Sequence, residues 1–344
     1  MNNFPASAQL KLVLLAVALA GLWYLASPAS VTQEERLLWE QVRAAQLHLA
    51  EWRQDAGTAS DAKNDPWDCG LIGVEWSGIT TTLGDLEAKR AACNPAWAVR
   101  FSRWYLEQGL SEGDRIAIYS SGSFPGLVLN ALAAAEAMEL DPLLIVSLGA
   151  STWGANHPEI PWPELASELR HAGFINKRSD YYTLGGDEEL GHGMAPEGEA
   201  ILRQAATAAG VELLEAESLG EMIEIKSQIL EEHQPRLLVS IGGSHANMGD
   251  DSGVLTLPTG PVSPDQASKA GNGVIAFALE NGIPVIHMLN IKALSARAGI
   301  PYDSAPGRME PAEVNAAWSL LGLVLFFTVV LRHRRWKLGP SDQN

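Results

Sequence analysis

Four short polar segments carry the residue types from which a ligand or reaction site could be built. The first, Ser120-Ser121-Gly122-Ser123-Phe124-Pro125-Gly126, lies between a strand-like run and a helix-like run. Its small residues allow a sharp turn. The following helix would point free N–H groups and a partial positive charge at whatever sits there. Ser121 and Ser123 add hydroxyl donors, so a carboxylate or a phosphate would fit; a tight turn in which Ser123 merely caps the helix would look the same. Ser123 is also a weak nucleophile candidate, but the Gly-x-Ser-x-Gly elbow needs glycines where Ser121 and Pro125 stand. The second segment, Gly242-Gly243-Ser244-His245-Ala246-Asn247, offers close backbone approach and the polar groups of Ser244, His245 and Asn247. Ser244 is the other weak nucleophile candidate. Its neighbour His245 should point to the opposite side of an extended chain and not act on it.

The third segment, residues 185–192, contains Asp187, Glu188 and His192, but at no established metal spacing, so no metal is expected. The fourth, residues 147–152, is a strand end that could complete the same crevice. Apart from these stands Thr80-Thr81-Thr82, followed by Lys89 and Arg90 on a helix, where the two cations could hold a carboxylate. Cys69 and Cys93 are the only cysteines and form a disulfide candidate if their compartment is oxidising; two separate buried thiols are the alternative.

These segments need elements to position them. Residues 115–120, 142–148, 236–241 and 283–289 are short continuous apolar runs, with a shorter one at Leu213-Leu214. Helical patterns cover residues 32–53, 125–140, 165–172, 197–209, 218–232 and 273–281. Apolar strands alternating with helices predict an α/β fold, a doubly wound parallel sheet with helices on both faces. In such sheets ligands bind outside the carboxyl ends of the strands, which is where the four polar segments fall. Residues 55–68 read as a polar linker, and the α/β domain is expected over residues 70–303.

Each end of the chain is apolar. Residues 12–26 are preceded by Lys11 and residues 314–331 are followed by Arg332, Arg334, Arg335 and Lys337. Lys and Arg stay on the cytoplasmic side, so two transmembrane helices are expected, the first alternatively a signal peptide. Residues 1–11 and 332–344 would then be cytoplasmic and residues 31–312 extracytoplasmic. The net charge is −17, and five of the basic residues sit at the ends, which leaves the middle more acidic still. Nucleic acid is therefore an unsuitable partner. No Gly-x-x-x-x-Gly-Lys-[Ser/Thr] loop is present, and no cofactor is expected.

The blocks GLIGVEWSGITTTLGDLEAKRAACNP, SSGSFPG, LIVSLGAS, LGGDEE, SIGGSHANMG and GIPVIHMLNIKALSARAGIPYD, spread over residues 70–303, resemble the poly-gamma-glutamate system protein family. Ala91 stands where the family pattern has a hydroxyl residue. The resemblance implies a membrane-bound accessory component of poly-gamma-glutamate synthesis or export, with other subunits of that system as partners and the anionic polymer as a possible contact. It implies no known reaction. A hydrolase or transferase acting on γ-glutamyl bonds and an anchored solute-binding module are the competing expectations. The ligand-binding set on either account is Thr80, Thr81, Thr82, Lys89, Arg90, Ser121, Gly122, Ser123, Gly242, Gly243, Ser244 and Asn247.

Overall fold

A computed structural model describes residues 13–19, 31–307 and 316–335. Residues 34–307 form one compact unit. Within it seven strands make one sheet: β2 (Arg115–Ser121), β3 (Asp141–Ser147), β5 (Tyr181–Thr183), β6 (Glu212–Leu213), β7 (Leu238–Ile241), β8 (Gly260–Val262) and β9 (Val285–Met288), in the order β6-β5-β3-β2-β7-β9-β8. Every pair is parallel except β8 with β9, which is antiparallel. The sheet is thus mixed and not purely parallel. Gly260 and Pro261 carry no apolar run, so this edge strand gives no signal in the sequence. Two further short strands, β1 (Thr80–Thr82) and β4 (Ala150–Ser151), pair with each other outside the main sheet.

Both faces of the sheet are buried, as the continuous apolar strands require. On β2, Ile116 and Ile118 enter one core while Ala117 and Tyr119 enter the other. Leu144 and Val146 of β3 follow the first pair; Leu143 and Ile145 follow the second. The first core is covered by α1 (Gln33–Asp55), α2 (Leu86–Ala92), α3 (Ala96–Glu107), α4 (Pro125–Ala137), α5 (Trp162–His171), α6 (Pro196–Ala209) and, later in the chain, the helix Ile291–Ala298. The second is covered mainly by α7 (Leu219–His233), a four-residue α8 (His245–Met248) and α9 (Val274–Glu280). Ile291–Ala298 is α10.

The helix that positions the site most directly is α4. Pro125 starts it with a preset φ and no N–H to satisfy. Its residues are buried on every side, which fits an apolar run without a polar face. Leu127, Leu129 and Leu132 are each fully enclosed, a gain of about 1.5–3 kcal/mol apiece. Asn130, the one amide in the helix, accepts from Ala98 N–H at 3.0 Å and donates to the Gly126 carbonyl at 2.7 Å, so α3 is pinned across it.

Two expectations change. The α/β unit does not begin at Gly70: Leu38, Val42, Ala45 and Leu49 of α1 belong to the first core, and buried Arg53 donates to the Gly70 and Ile72 carbonyls. Cys69 and Cys93 are not bonded; both are buried thiols with Sγ atoms 3.1 Å apart. No helix among the described residues is long and apolar enough to cross a membrane. The N-terminal stretch is described as helix only over residues 13–19, and residues 20–26 lie outside the described ones. The second stretch forms α11 (Ala316–Arg335), but its last turn is spent on Arg332, Arg334 and Arg335.

Candidate functional site

The four polar segments converge on one crevice of about 530 Å3 at the carboxyl edge of the sheet. From β2 the chain turns toward β3; beyond β7 it turns the other way, to β9. The crevice opens where those directions part, between β2 and β7, whose last paired residues are Ser120 and Ile241. Ser121 follows on one side and Gly242 on the other. Gly242 has φ +80°, and a Cβ there would lie 2.3 Å from Ser121 Oγ, so only glycine leaves this point open.

The floor is made of hydroxyls. Ser121 and Ser147 are 7% and 2% exposed, both border the crevice, and among the described residues neither Oγ has a hydrogen-bond partner. Gly122 does not reach the crevice; its N–H donates to the Ser147 carbonyl at 2.6 Å and ties the ends of β2 and β3 together. Ser123 borders the crevice, but its Oγ accepts from Ser151 N–H at 3.0 Å and its carbonyl accepts from Lys89.

One wall comes from β1 and α2. Thr81 and Thr82 line it, whereas Thr80 is buried behind them, its Oγ1 accepting from the Asn156 amide at 2.9 Å. Asp85 caps α2 by accepting from Glu87 N–H and also accepts from the Tyr302 hydroxyl at 3.0 Å. Lys89 points into the crevice. Its Nζ lies 2.6 Å from Ser151 Oγ, 2.6 Å from the Ser123 carbonyl oxygen and 3.8 Å from the centre of the Phe124 ring. Burial pushes this amine down to about 7, against weaker opposing pulls from Cys93 and Asp85. Arg90 does not share the site. Adjacent helix residues face about 100° apart, and its guanidinium makes a bidentate pair with Asp303, 2.7 Å between Nη2 and Oδ2. The carboxylate Arg90 holds is therefore internal.

The opposite wall comes from the second and third segments. Gly243, Ser244 and His245 line it, with Gly185, Gly186, Asp187 and Glu189. Ser244 caps α8, its Oγ accepting from Asn247 N–H at 3.3 Å. His245 Nδ1 accepts from Glu188 N–H at 2.9 Å, which fastens the 185–192 loop to α8. Asn247 is buried below the crevice and donates to the Tyr119 carbonyl, buttressing β2 and taking no part in the lining. Glu189, at φ +63°, turns inward to a buried ion pair with Lys226 Nζ at 3.1 and 3.2 Å, and accepts from Thr183 Oγ1 at 3.1 Å. Lys226 Nζ also lies 3.5 Å from Ser244 Oγ. Asp187 and His192 are joined by a backbone bridge.

Sequence reasoning missed Lys226, Glu189, Lys292 and Tyr302, and it left Ser147 and Ser151 as parts of a strand end. For Lys226 a signal existed: Met222, Lys226 and Leu230 recur every four residues on α7, and all three are buried. Comparison of the chain with protein-family models, with curated proteins and with solved structures returns no match. The fold and the crevice define an open α/β domain with a polar pocket at the reversal point of its sheet.

Proposed function

We propose that this chain is a membrane-anchored, extracytoplasmic accessory component of poly-gamma-glutamate synthesis or export, and that its crevice takes a carboxylate-bearing γ-glutamyl unit. The observation that carries the binding half is the pair of buried hydroxyls, Ser121 and Ser147, without a protein partner at the reversal point of the sheet. An unmade hydrogen bond at a buried group costs about 1–3 kcal/mol. A ligand oxygen would recover it. Lys292 borders the same space and brings a cation to it, and Lys89 is the other lysine among the described residues that lines it, in a chain of net charge −17. That overall charge disfavours gripping a long polyanion along its length and favours a single local contact.

The polymer half rests on the resemblance of residues 70–303, and the location on the apolar ends and the basic tail. The test of binding is thermal melting of the full chain with γ-linked glutamate oligomers, with α-linked oligomers of the same length as control. A ligand held by the folded state raises the melting temperature as its concentration passes Kd. A larger shift with the γ-linked series is expected; equal shifts, or none, defeat the reading. The cellular test is the amount of cell-bound and released polymer with and without this chain, where an unchanged amount in both fractions removes the polymer half.

A further inference from the structure

The geometry points to Ser151 as a nucleophile and Lys89 as its general base, which would make the crevice an acyl-transfer or hydrolysis site for an amide bond next to a carboxylate. This rests on the proposed ligand class and adds a reaction to it. Neither Ser123 nor Ser244 has comparable equipment: the first spends its Oγ on Ser151 N–H, and the second caps α8 beside a lysine already clamped by Glu189.

Ser151 borders the crevice, and among the described residues its Oγ has one hydrogen-bond partner, Lys89 Nζ at 2.6 Å. Among the described residues that amine has no carboxylate within hydrogen-bond reach. Its other partner is the neutral Ser123 carbonyl, and the Phe124 ring covers it. A neutral amine suits this arrangement well: it donates one N–H to the Ser123 carbonyl and accepts the Ser151 hydroxyl proton on its lone pair. Burial keeps a large share of it neutral near pH 7. The charged and titratable groups around it are Asp85 and Cys93 on its own helix, and Asp187, Glu189, His245, Lys292 and Tyr302 around the crevice. Of these, Asp85 is held by the Tyr302 hydroxyl and Glu189 by Lys226. The close approach is built in: a Cβ on Gly84 would lie 2.8 Å from Ser151 Oγ and 3.1 Å from Lys89 Cε.

In the first step Ser151 Oγ bonds to the substrate carbonyl carbon, the C=O π pair moves to oxygen, and the hydroxyl proton passes to Lys89 Nζ. The Ser121 and Ser147 hydroxyls, unpartnered among the described residues and bordering the same crevice, are assigned as donors to a developing oxyanion. Collapse breaks the C–N bond, and the leaving amine takes the proton from Lys89. Water then repeats the sequence on the Ser151 ester, giving up one proton through Lys89 to Ser151 Oγ. The sum is amide plus water to carboxylic acid plus amine; an incoming amine in place of water gives transfer.

The experiment treats the full chain with a fluorophosphonate and, separately, with a β-lactone, and locates adducts by mass spectrometry. Both probes trap activated serines. A Ser151 adduct is expected, forming faster as pH rises through about 7, absent from Ser151→Ala, and at least 100-fold slower in Lys89→Met. The unsubstituted chain's own adduct and pH profile decide the matter even if a variant fails to fold. No adduct with either probe, an adduct only at another serine, or an equal rate in folded Lys89→Met overturns the proposal. Binding of γ-linked oligomers without a Ser151 adduct removes the dyad and leaves the binding reading intact. An adduct without oligomer binding does the reverse.

Discussion

Two lysines are buried under opposite walls of one crevice, each beside a serine, and they are held in opposite ways. Lys226, 1% exposed, is neutralised by Glu189 with both carboxylate oxygens at 3.1–3.2 Å. Lys89, 3% exposed, meets only a carbonyl, a hydroxyl and an aromatic ring. Burial lowers the pKa of both, but Glu189 pulls Lys226 back toward its charged form while Lys89 has only weaker, indirect opposition. The serines differ in parallel: Ser244 is tied into a helix cap, and Ser151 Oγ touches only its lysine. A charged lysine with a counterion is a structural fastener. A lysine left without one can change its protonation state at little cost, which is what proton transfer needs.

The largest effect should come from breaking the fastener. Lys226→Met leaves Glu189 buried with the Thr183 hydroxyl but no counter-charge, and Glu189→Gln leaves Lys226 buried without a carboxylate; each should lower unfolding free energy by about 3–5 kcal/mol. The double variant Lys226→Met with Glu189→Leu should recover most of it in denaturant titration. If the single changes are silent, the two lysines are not different in kind. Lys89→Met should act through pH. Its amine has a native pKa of about 7 against an ordinary 10.5, so between those values the native chain holds fewer protons than the unfolded one. Stability should therefore rise with pH across that window, by up to about 1.4 kcal/mol per pH unit, and fall off as pH drops toward 7. Lys89→Met should show a shallower rise there, since the Lys226 amine is lowered too, and match or exceed the parent below pH 7. A parent profile that falls from pH 7 to 10 would contradict this assignment.

A smaller loss, about 1–2 kcal/mol, is expected for Arg90→Ala, since its pair with Asp303 is bidentate but partly open to water. It should leave γ-linked oligomer binding in place, in contrast to Lys89→Met, and equal binding losses would mean Arg90 belongs to the site after all. The smallest contrast lies in the serines. Ser244→Ala should lose about 1 kcal/mol as a helix cap, and Ser151→Ala less, measured side by side in urea.

The sheet and the location of the crevice were legible because each of the long strands is an apolar run with a glycine- or serine-rich end, and side-chain burial on two faces demands such runs. The short elements were not. β1 and β4 are three and two residues long and exist because their turns pack, not because of a pattern. Within the site, Lys89 and Arg90 looked equivalent as neighbours on a helix; only the position of Asp303, 213 residues away, separates their roles. Glu189 sat in an acidic loop that reads as solvated, and its inward turn depends on a positive φ that sequence does not announce. Ser151 was invisible for a similar reason. A serine acquires meaning from the amine facing it, and that amine is 62 positions earlier.

The clasp of Arg90 and Tyr302 onto Asp303 and Asp85 has a consequence for how the molecule is made. Helix α2, which carries Lys89, is locked at its outer side by contacts spanning 213 and 217 positions. A ribosome synthesising this chain has made Thr81, Ser121, Ser151 and Ser244 long before Tyr302 emerges. Until it does, one wall of the crevice has no latch, because loop closure over so many residues must await the last of them. Closure of that wall therefore waits for the last of the crevice-lining residues to be synthesised.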